Sequence, residues 1–400
     1  MLRYKSTNQN KFYTFNNEEI QNPIQLTGLI IVKNQEKYII DSLNSLNKVC
    51  DRIVVVDTGS TDNTVKNIKK FFPNVQLKHL EWRENYAYIR NAALNFVRDG
   101  WIFVLDSDET FQKMCTYDEL HNFLGWLEIN NANKELICTT KCCSNGYSSF
   151  VRKKNLYKIS PHLKYHGIVH EELVSDKSNL QIIDTDLEVL NKGTDREQVQ
   201  KFDKEKRYSR LLLQQIKLEP QNPRWLSLMS LSYVDLGLVS ADFLRKKYQY
   251  FLFKDKVNDF SLENIIKNKY LKYNLFRYVM LLVLYYKDFK SALSGAEAGI
   301  KLFPSDSNYV SLYISVKNEE LNLEYKKLLK MSLNKLNDYK NQLELVHEES
   351  QGSENALDEL MVRLLVKLGY YGEAKQILKS IDVPVYRNNL KAELELFNLA

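Results

Sequence analysis

The sequence predicts an α/β domain with a Rossmann-like parallel sheet over residues 25–198, followed by an all-α region over residues 199–400. Three observations carry that prediction. Continuous apolar runs at residues 26–32, 52–56 and 101–105 read as buried strands, with helical patterns between them. The third run, WIFVL, breaks abruptly into Asp106, Ser107, Asp108 and Glu109. Acids therefore crowd the C-terminal end of a strand, which is where open α/β sheets bind ligands. From about residue 200 onward Gly and Pro become scarce and apolar residues take helical spacing.

Residues 1–24 are polar and read as a lead-in. LTGLIIV opens the sheet, and Lys33, Asn34, Gln35 and Glu36 follow it. Ile39, Ile40, Leu43 and Leu46 then mark an amphipathic helix. The second strand ends at Asp57, and Thr58 to Asn63 supply a tight turn and N-cap candidates for a helix over 64–72. Pro73 stops that helix. Residues 75–80 give a third strand, and residues 85–97 a helix that Asp99 and Gly100 end before WIFVL. This alternation implies parallel strands with right-handed crossovers. Residues 117–129 read as a helix, and 135–143 and 148–152 as strands joined around Asn145 and Gly146. The segment 163–174 is a loop and strand rich in titratable groups, and 180–190 closes the domain. Three helix pairs follow, at 211–218 with 225–236, 276–286 with 292–303, and 357–368 with 373–378. Their punctuation resembles tetratricopeptide units, which build binding and dimerisation surfaces.

The 400 residues are 44% hydrophobic and 26% charged, the balance of an ordinary soluble protein. The net charge of +6 is spread without a polybasic block, which suits a small anionic ligand and argues against nucleic acid. Five cysteines form no C-x-x-C pair, and the start of the chain has no apolar core, so the expectation is a reduced, cytoplasmic protein. No run approaches the roughly 18 apolar residues of a membrane span. G-x-G-x-x-G and Walker A sequences are absent, which excludes the common dinucleotide and P-loop uses of this architecture.

Asp57 ends the second strand and Asp106 to Asp108 the fourth, and in a doubly wound sheet both ends face one crevice. A carboxylate at the first place could accept from a base N–H or a ribose hydroxyl. Carboxylates at the second could hold Mg²⁺ or Mn²⁺ against a diphosphate. Five stretches in order, LIIVKNQEKYI, VVVDTGSTDNT, EWRENYAYIRNAAL, WIFVLDSDE and YHGIVHEEL, resemble the family-2 glycosyltransferases of the GT-A fold. The resemblance implies a UDP-sugar donor, with Val32, Asn34 and Glu36 near the nucleoside and Asp57 on the uracil or ribose. It implies Arg90 on the phosphates, Asp106 on the ribose with Ser107 beside it, and Asp108 and Asp106 on the metal. Within the family, Trp82 to Asn91, the Asp-x-Asp, His166 to Glu172 and the helical tail are similar to the sublancin-type peptide S-glycosyltransferases. These act on Cys, and sometimes Ser, of a bacteriocin precursor peptide. That similarity implies UDP-glucose as donor and a homodimer through the helical domain. Many relatives carry a His, then Gly-Tyr, at the end of the catalytic domain; here Leu190-Asn191-Lys192-Gly193-Thr194 stands there, so either Asn191 stands in as a weaker ligand or diphosphate and water complete the shell.

The implied reaction inverts the anomeric carbon, so a base must lie on the acceptor's side. Glu171 and His170 are the first candidates and His166 the third. Zinc is excluded at this cluster, because H-x-x-x-H-E reverses the metalloprotease order. Trp82 and Tyr88 are expected to line the sugar pocket, whereas Tyr86 also fits its helix's buried stripe. The rival acceptor is a lipid-linked sugar or polysaccharide.

Overall fold

The apolar runs form the centre of a ten-stranded mixed sheet in a computed structural model that describes residues 2–7, 9–16, 24–112, 115–144, 150–192, 204–341 and 353–399. β1 (Arg3–Ser6) and β2 (Tyr13–Thr14) come first in the chain, then β3 (Leu26–Val32), β4 (Arg52–Asp57) and β5 (Gln76–His79). β6 (Trp101–Asp106), β7 (Glu109–Gln112), β8 (Glu135–Ser144) and β9 (Phe150–Lys158) follow. β10 (Leu163–His166) and β11 (Glu172–Ser175) form a separate hairpin, and β12 (Leu180–Asn191) closes the set. The order across the large sheet is β2-β1-β12-β8-β9-β6-β3-β4-β5, with β7 paired to β12.

β5, β4, β3 and β6 are parallel, as the sequence predicts, and β9 joins β6 antiparallel. The chain leaves β3 toward β4 on one side and returns to β6 on the other, so the sheet's topological switch point lies between β3 and β6. Alternation along each strand divides two cores. Leu26, Ile30, Val55, Trp101, Phe103 and Leu105 face α1 (Ile39–Leu46), α2 (Thr64–Phe71) and α4 (Tyr117–Asn130). Leu29, Val54, Val56, Ile102 and Val104 face α3 (Tyr86–Leu94) and the β10–β11 hairpin. Helices thus cover both faces, which is why these strands carry no polar alternation.

The opening residues are more than a lead-in. Leu2 and Phe15 are buried in the first core, and β1 pairs with β12 through Tyr4–Thr185 and its neighbours. Exposed charges such as Arg3 conceal these edge strands from a hydrophobic pattern. The hairpin turn expected at Asn145 and Gly146 lies outside the described residues.

The chain divides into two compact units, Met1–Leu238 and Val239–Ala400. The first runs 40 residues past the boundary read at 198, because it takes in α5 (Lys204–Leu218), α6 (Pro223–Ser227) and α7 (Ser232–Asp235). The partner helix expected at 225–236 is therefore two short helices. In the second unit the other two expected pairs are present. One is α9 (Leu271–Leu281), which ends in a π-turn, with α10 (Phe289–Leu302); α8 (Ala241–Leu252) precedes it. After the 35-residue α11 (Ser307–Asn341), the other is α12 (Ser353–Lys367) with α13 (Tyr371–Ser380). No helix among the described residues is long and apolar enough to cross a membrane. All five cysteines are free thiols, and Cys50, Cys115, Cys138 and Cys142 are buried.

Candidate active site

A cavity of about 480 Å³ opens at the switch point in the first unit. Val32 and Asn34 from the end of β3, Asp106, Ser107 and Asp108 from the end of β6, Trp82 and Arg90 around α3, and His170 and Glu171 from the β10–β11 loop all line it. The structure thus brings together nine of the side chains that the sequence singled out.

The floor is a chain of alternating charges. Arg90 donates from Nε to Glu171 Oε1 at 2.5 Å and from a terminal N–H to Asp106 Oδ1 at 2.8 Å. Lys153 on β9 donates to Asp106 Oδ2 at 2.7 Å and also to Glu109 Oε1. Burial alone would raise the Asp106 carboxyl, but the Lys153 and Arg90 cations override it and hold it well below the ordinary carboxylate range. Glu109 is fully buried, and its second oxygen accepts the Asp106 backbone N–H. Its role is to cap the β6–β7 turn. Both oxygens of Asp106 are engaged by protein cations, and Asp108 lines the cavity two residues further on. Asn191 also lines the cavity, lies opposite Glu109 of β7 and donates from its side-chain amide to Glu109 Oε1 at 3.2 Å. Asp108 and Asn191 are both oxygen donors of the kind Mg²⁺ and Mn²⁺ accept beside phosphates, so this pair fits such an ion. No group of three or more His, Cys, Asp or Glu able to hold a metal occurs among the described residues.

Other expected residues lie outside the cavity. Asp57 is buried, and its oxygens accept the backbone N–H groups of Gly59 and Ser60, with His79 Nδ1 at 3.3 Å. Glu36 accepts from the Asn63 backbone and side chain, each at 2.9 Å. Tyr88 is 42% exposed beneath Arg83, on the face of α3 away from the cavity. Tyr86 takes the place expected of it: four residues from Arg90 on one helix face, it packs edge-on against Trp82 at 4.7 Å. His166 pairs instead with Glu219 Oε1 at 2.8 Å.

That pairing belongs to a clamp on the loop that carries His170 and Glu171. From α3, Tyr86 N donates to Ile168 O at 2.8 Å. From α5, Gln215 Oε1 accepts from Ile168 N at 2.8 Å. From α6, Arg224 donates to His170 O at 2.7 Å and pairs with Glu172 at 3.1 Å, with its guanidinium on Trp225. His170 has φ +51° and Gly167 φ +106°, so the loop makes two left-handed turns in four residues. A Cβ at Gly167 would stand 2.6 Å from the Trp225 ring, so only glycine fits.

Several lining residues escaped the sequence reading. Gln35 and Thr58 sit by the β3 and β4 ends, and Arg207 and Tyr208 come from α5. Tyr208 meets Tyr86 at 6.0 Å and His170 at 5.5 Å. The i, i+4 spacing of Tyr86 and Arg90 was a usable signal for the first of these aromatics. Lys153 left only a weak one, two lysines inside a strand that runs on through Leu156 and Tyr157 to Lys158.

Residues 29–132 match the model of Glycosyl transferase family 2. The chain is similar to the SPbeta prophage-derived glycosyltransferase SunS of Bacillus subtilis, with 25% identity covering 93% of this chain and 83% of that protein. It is also similar to the lipopolysaccharide core biosynthesis glycosyltransferase LpsC of Rhizobium meliloti, with 32% identity covering 22% of this chain and 34% of that one. Among solved structures, S. aureus TarS 1–349 aligns with 15% identity and a TM-score of 0.35, covering 75% of this chain and 91% of that one.

Proposed function

We propose, on the premise that this chain is a family-2 glycosyltransferase resembling SunS, that it moves a hexose from a UDP-sugar to Cys or Ser of a bacteriocin precursor peptide. The donor is UDP-glucose, and the transfer inverts the anomeric carbon. The observation that carries this reading is the cavity at the switch point. There Asp108 shares one lining with an acid held in place by arginine, Glu171. The resemblance of residues 82–91, 106–108 and 166–172 to the sublancin-type peptide S-glycosyltransferases supports a peptide acceptor over a glycan. The runner-up, a lipid-linked or polysaccharide acceptor, draws on the shorter similarity to LpsC.

Asp108 and Asn191 would hold a Mg²⁺ or Mn²⁺ ion, which when bound neutralises the leaving diphosphate. Trp82, Tyr86 and Tyr208 supply aromatic faces for the sugar. The acceptor sulfur or oxygen attacks the anomeric carbon as the bond to the diphosphate breaks, and its proton passes to Glu171 or His170. A Cys thiol, with pKa about 8.5, needs little help at neutral pH, whereas a Ser hydroxyl depends on the base. The helical unit, read as tetratricopeptide-like, would hold the precursor peptide or a second copy of the chain.

Intact-mass spectrometry of a Cys-rich precursor peptide incubated with the enzyme, UDP-glucose and Mg²⁺ tests this. The expected result is a gain of hexose units that Asp108→Ala abolishes. Metal-dependent release of UDP with no peptide adduct would shift the acceptor toward lipid or glycan. Neither adduct nor UDP release, across several UDP-sugars, would overturn the transferase reading.

A further inference from the structure

Three basic side chains line the cavity. Arg90 is engaged by Glu171 and Asp106, and Lys33 is exposed at the tip of β3. The third, Arg207, reaches in from the first turns of α5, and its Nε is shielded from solvent without a hydrogen-bond partner among the described residues. Its guanidinium lies 5.7 Å from the Tyr208 ring centre and 6.0 Å from that of Tyr86. Aromatic rings at that range steady a guanidinium plane but accept no in-plane N–H. A shielded, charged donor with nothing to donate to is costly, and natural structures keep such groups where a ligand completes them.

The charge of the floor points the same way. On the floor Asp106, Asp108, Glu109 and Glu171 outnumber Arg90 and Lys153, so it is Lys33 and Arg207 that balance the site before a diphosphate adds its own charge. Arg90 already has Glu171 and Asp106 balancing its charge, with Nε and one terminal N–H committed to them. We propose that Arg207 is the anion-binding residue of the cavity, donating from Nε and a terminal N–H to the donor's diphosphate, while Arg90 is a positioning residue that fixes Asp106 and Glu171. A guanidinium presents two parallel donors that match two phosphate oxygens. The assignment rests on the reading of the cavity as a nucleotide-sugar site. It places part of that site on a helix the sequence put in the other domain.

Calorimetric titration of the full chain with UDP, uridine and inorganic pyrophosphate, in the presence of Mg²⁺, tests it. Arg207→Met should weaken UDP and pyrophosphate by about tenfold or more, and leave uridine unchanged. Arg207→Lys should recover part of the loss, since it keeps the charge and loses the fork. Unchanged UDP affinity in Arg207→Met would overturn the proposal, as would a parallel loss of UDP and uridine. Pyrophosphate binding that depends on Arg207 in a protein blind to both UDP and uridine would uphold the anion site and sink the nucleotide reading instead.

Discussion

Lys153 meets the electrostatic demand that Asp106, Asp108 and Glu109 create together. Carboxylates so close need a cation among them, and the chain supplies one from β9, more than forty residues further along. The sequence made the need legible but not the donor, because the antiparallel register that brings β9 beside β6 leaves no local signature. The same limit explains Tyr86 and Tyr88. Residue type alone could not choose between them, whereas helix geometry turns Tyr88 roughly 200° from Tyr86 and toward solvent. Two predictions belong at this scale. Glu171→Gln should slow transfer to a Ser peptide by about a hundredfold or more, and to the matching Cys peptide by less than about tenfold, in an intact-mass time course. If instead His170 is the base, His170→Gln will show that contrast and Glu171→Gln will not. The second concerns acid. The Asp106 carboxyl is held below its unfolded value of about 3.9, so its contribution is complete above that pH and is lost as pH falls toward the folded value. Urea unfolding of Asp106→Asn should therefore show a shallower loss of stability than wild type below about pH 4.

Among the elements, the β10–β11 loop depends on packing that no motif records. YHGIVHEEL marked the loop as chemical, yet its shape is set by Gln215, Arg224 and Trp225, which lie about fifty residues downstream. Gly167→Ala combines a left-handed backbone with a clash against an indole, so it should cost about 2–4 kcal/mol and lower the melting temperature by several degrees. Gly59 provides the control. It also has positive φ, at +96°, but a Cβ there meets nothing within 4 Å, so Gly59→Ala should cost only about 1 kcal/mol. Equal melting temperatures for the two variants would show that Trp225 does not press on the loop. The buried strands β3, β4 and β6 were readable for the opposite reason. Each satisfies its pattern within seven residues, and both of its faces are apolar.

At the scale of the whole molecule, composition marked the change to helix near residue 200, but helix content does not mark where a compact unit ends. α5, α6 and α7 belong with the sheet. A chain ended after residue 238 should keep the cooperative unfolding of the first unit. One ended after residue 198 loses every clamp that α5 and α6 place on the β10–β11 loop. Circular dichroism melts of the two fragments would show this as one sharp and one broad transition. The five thiols carry a consequence of their own. Were sulfur the acceptor, as proposed, the enzyme would risk becoming its own substrate, and the burial of four thiols would guard against it. Burial keeps four cysteines from solvent and pushes the Cys115 and Cys142 thiols up to about 12, so little thiolate exists to react. Incubated with donor and metal but no peptide, the protein should gain no sugar at Cys50, Cys115, Cys138 or Cys142, and peptide mapping would place any adduct at the half-buried Cys143.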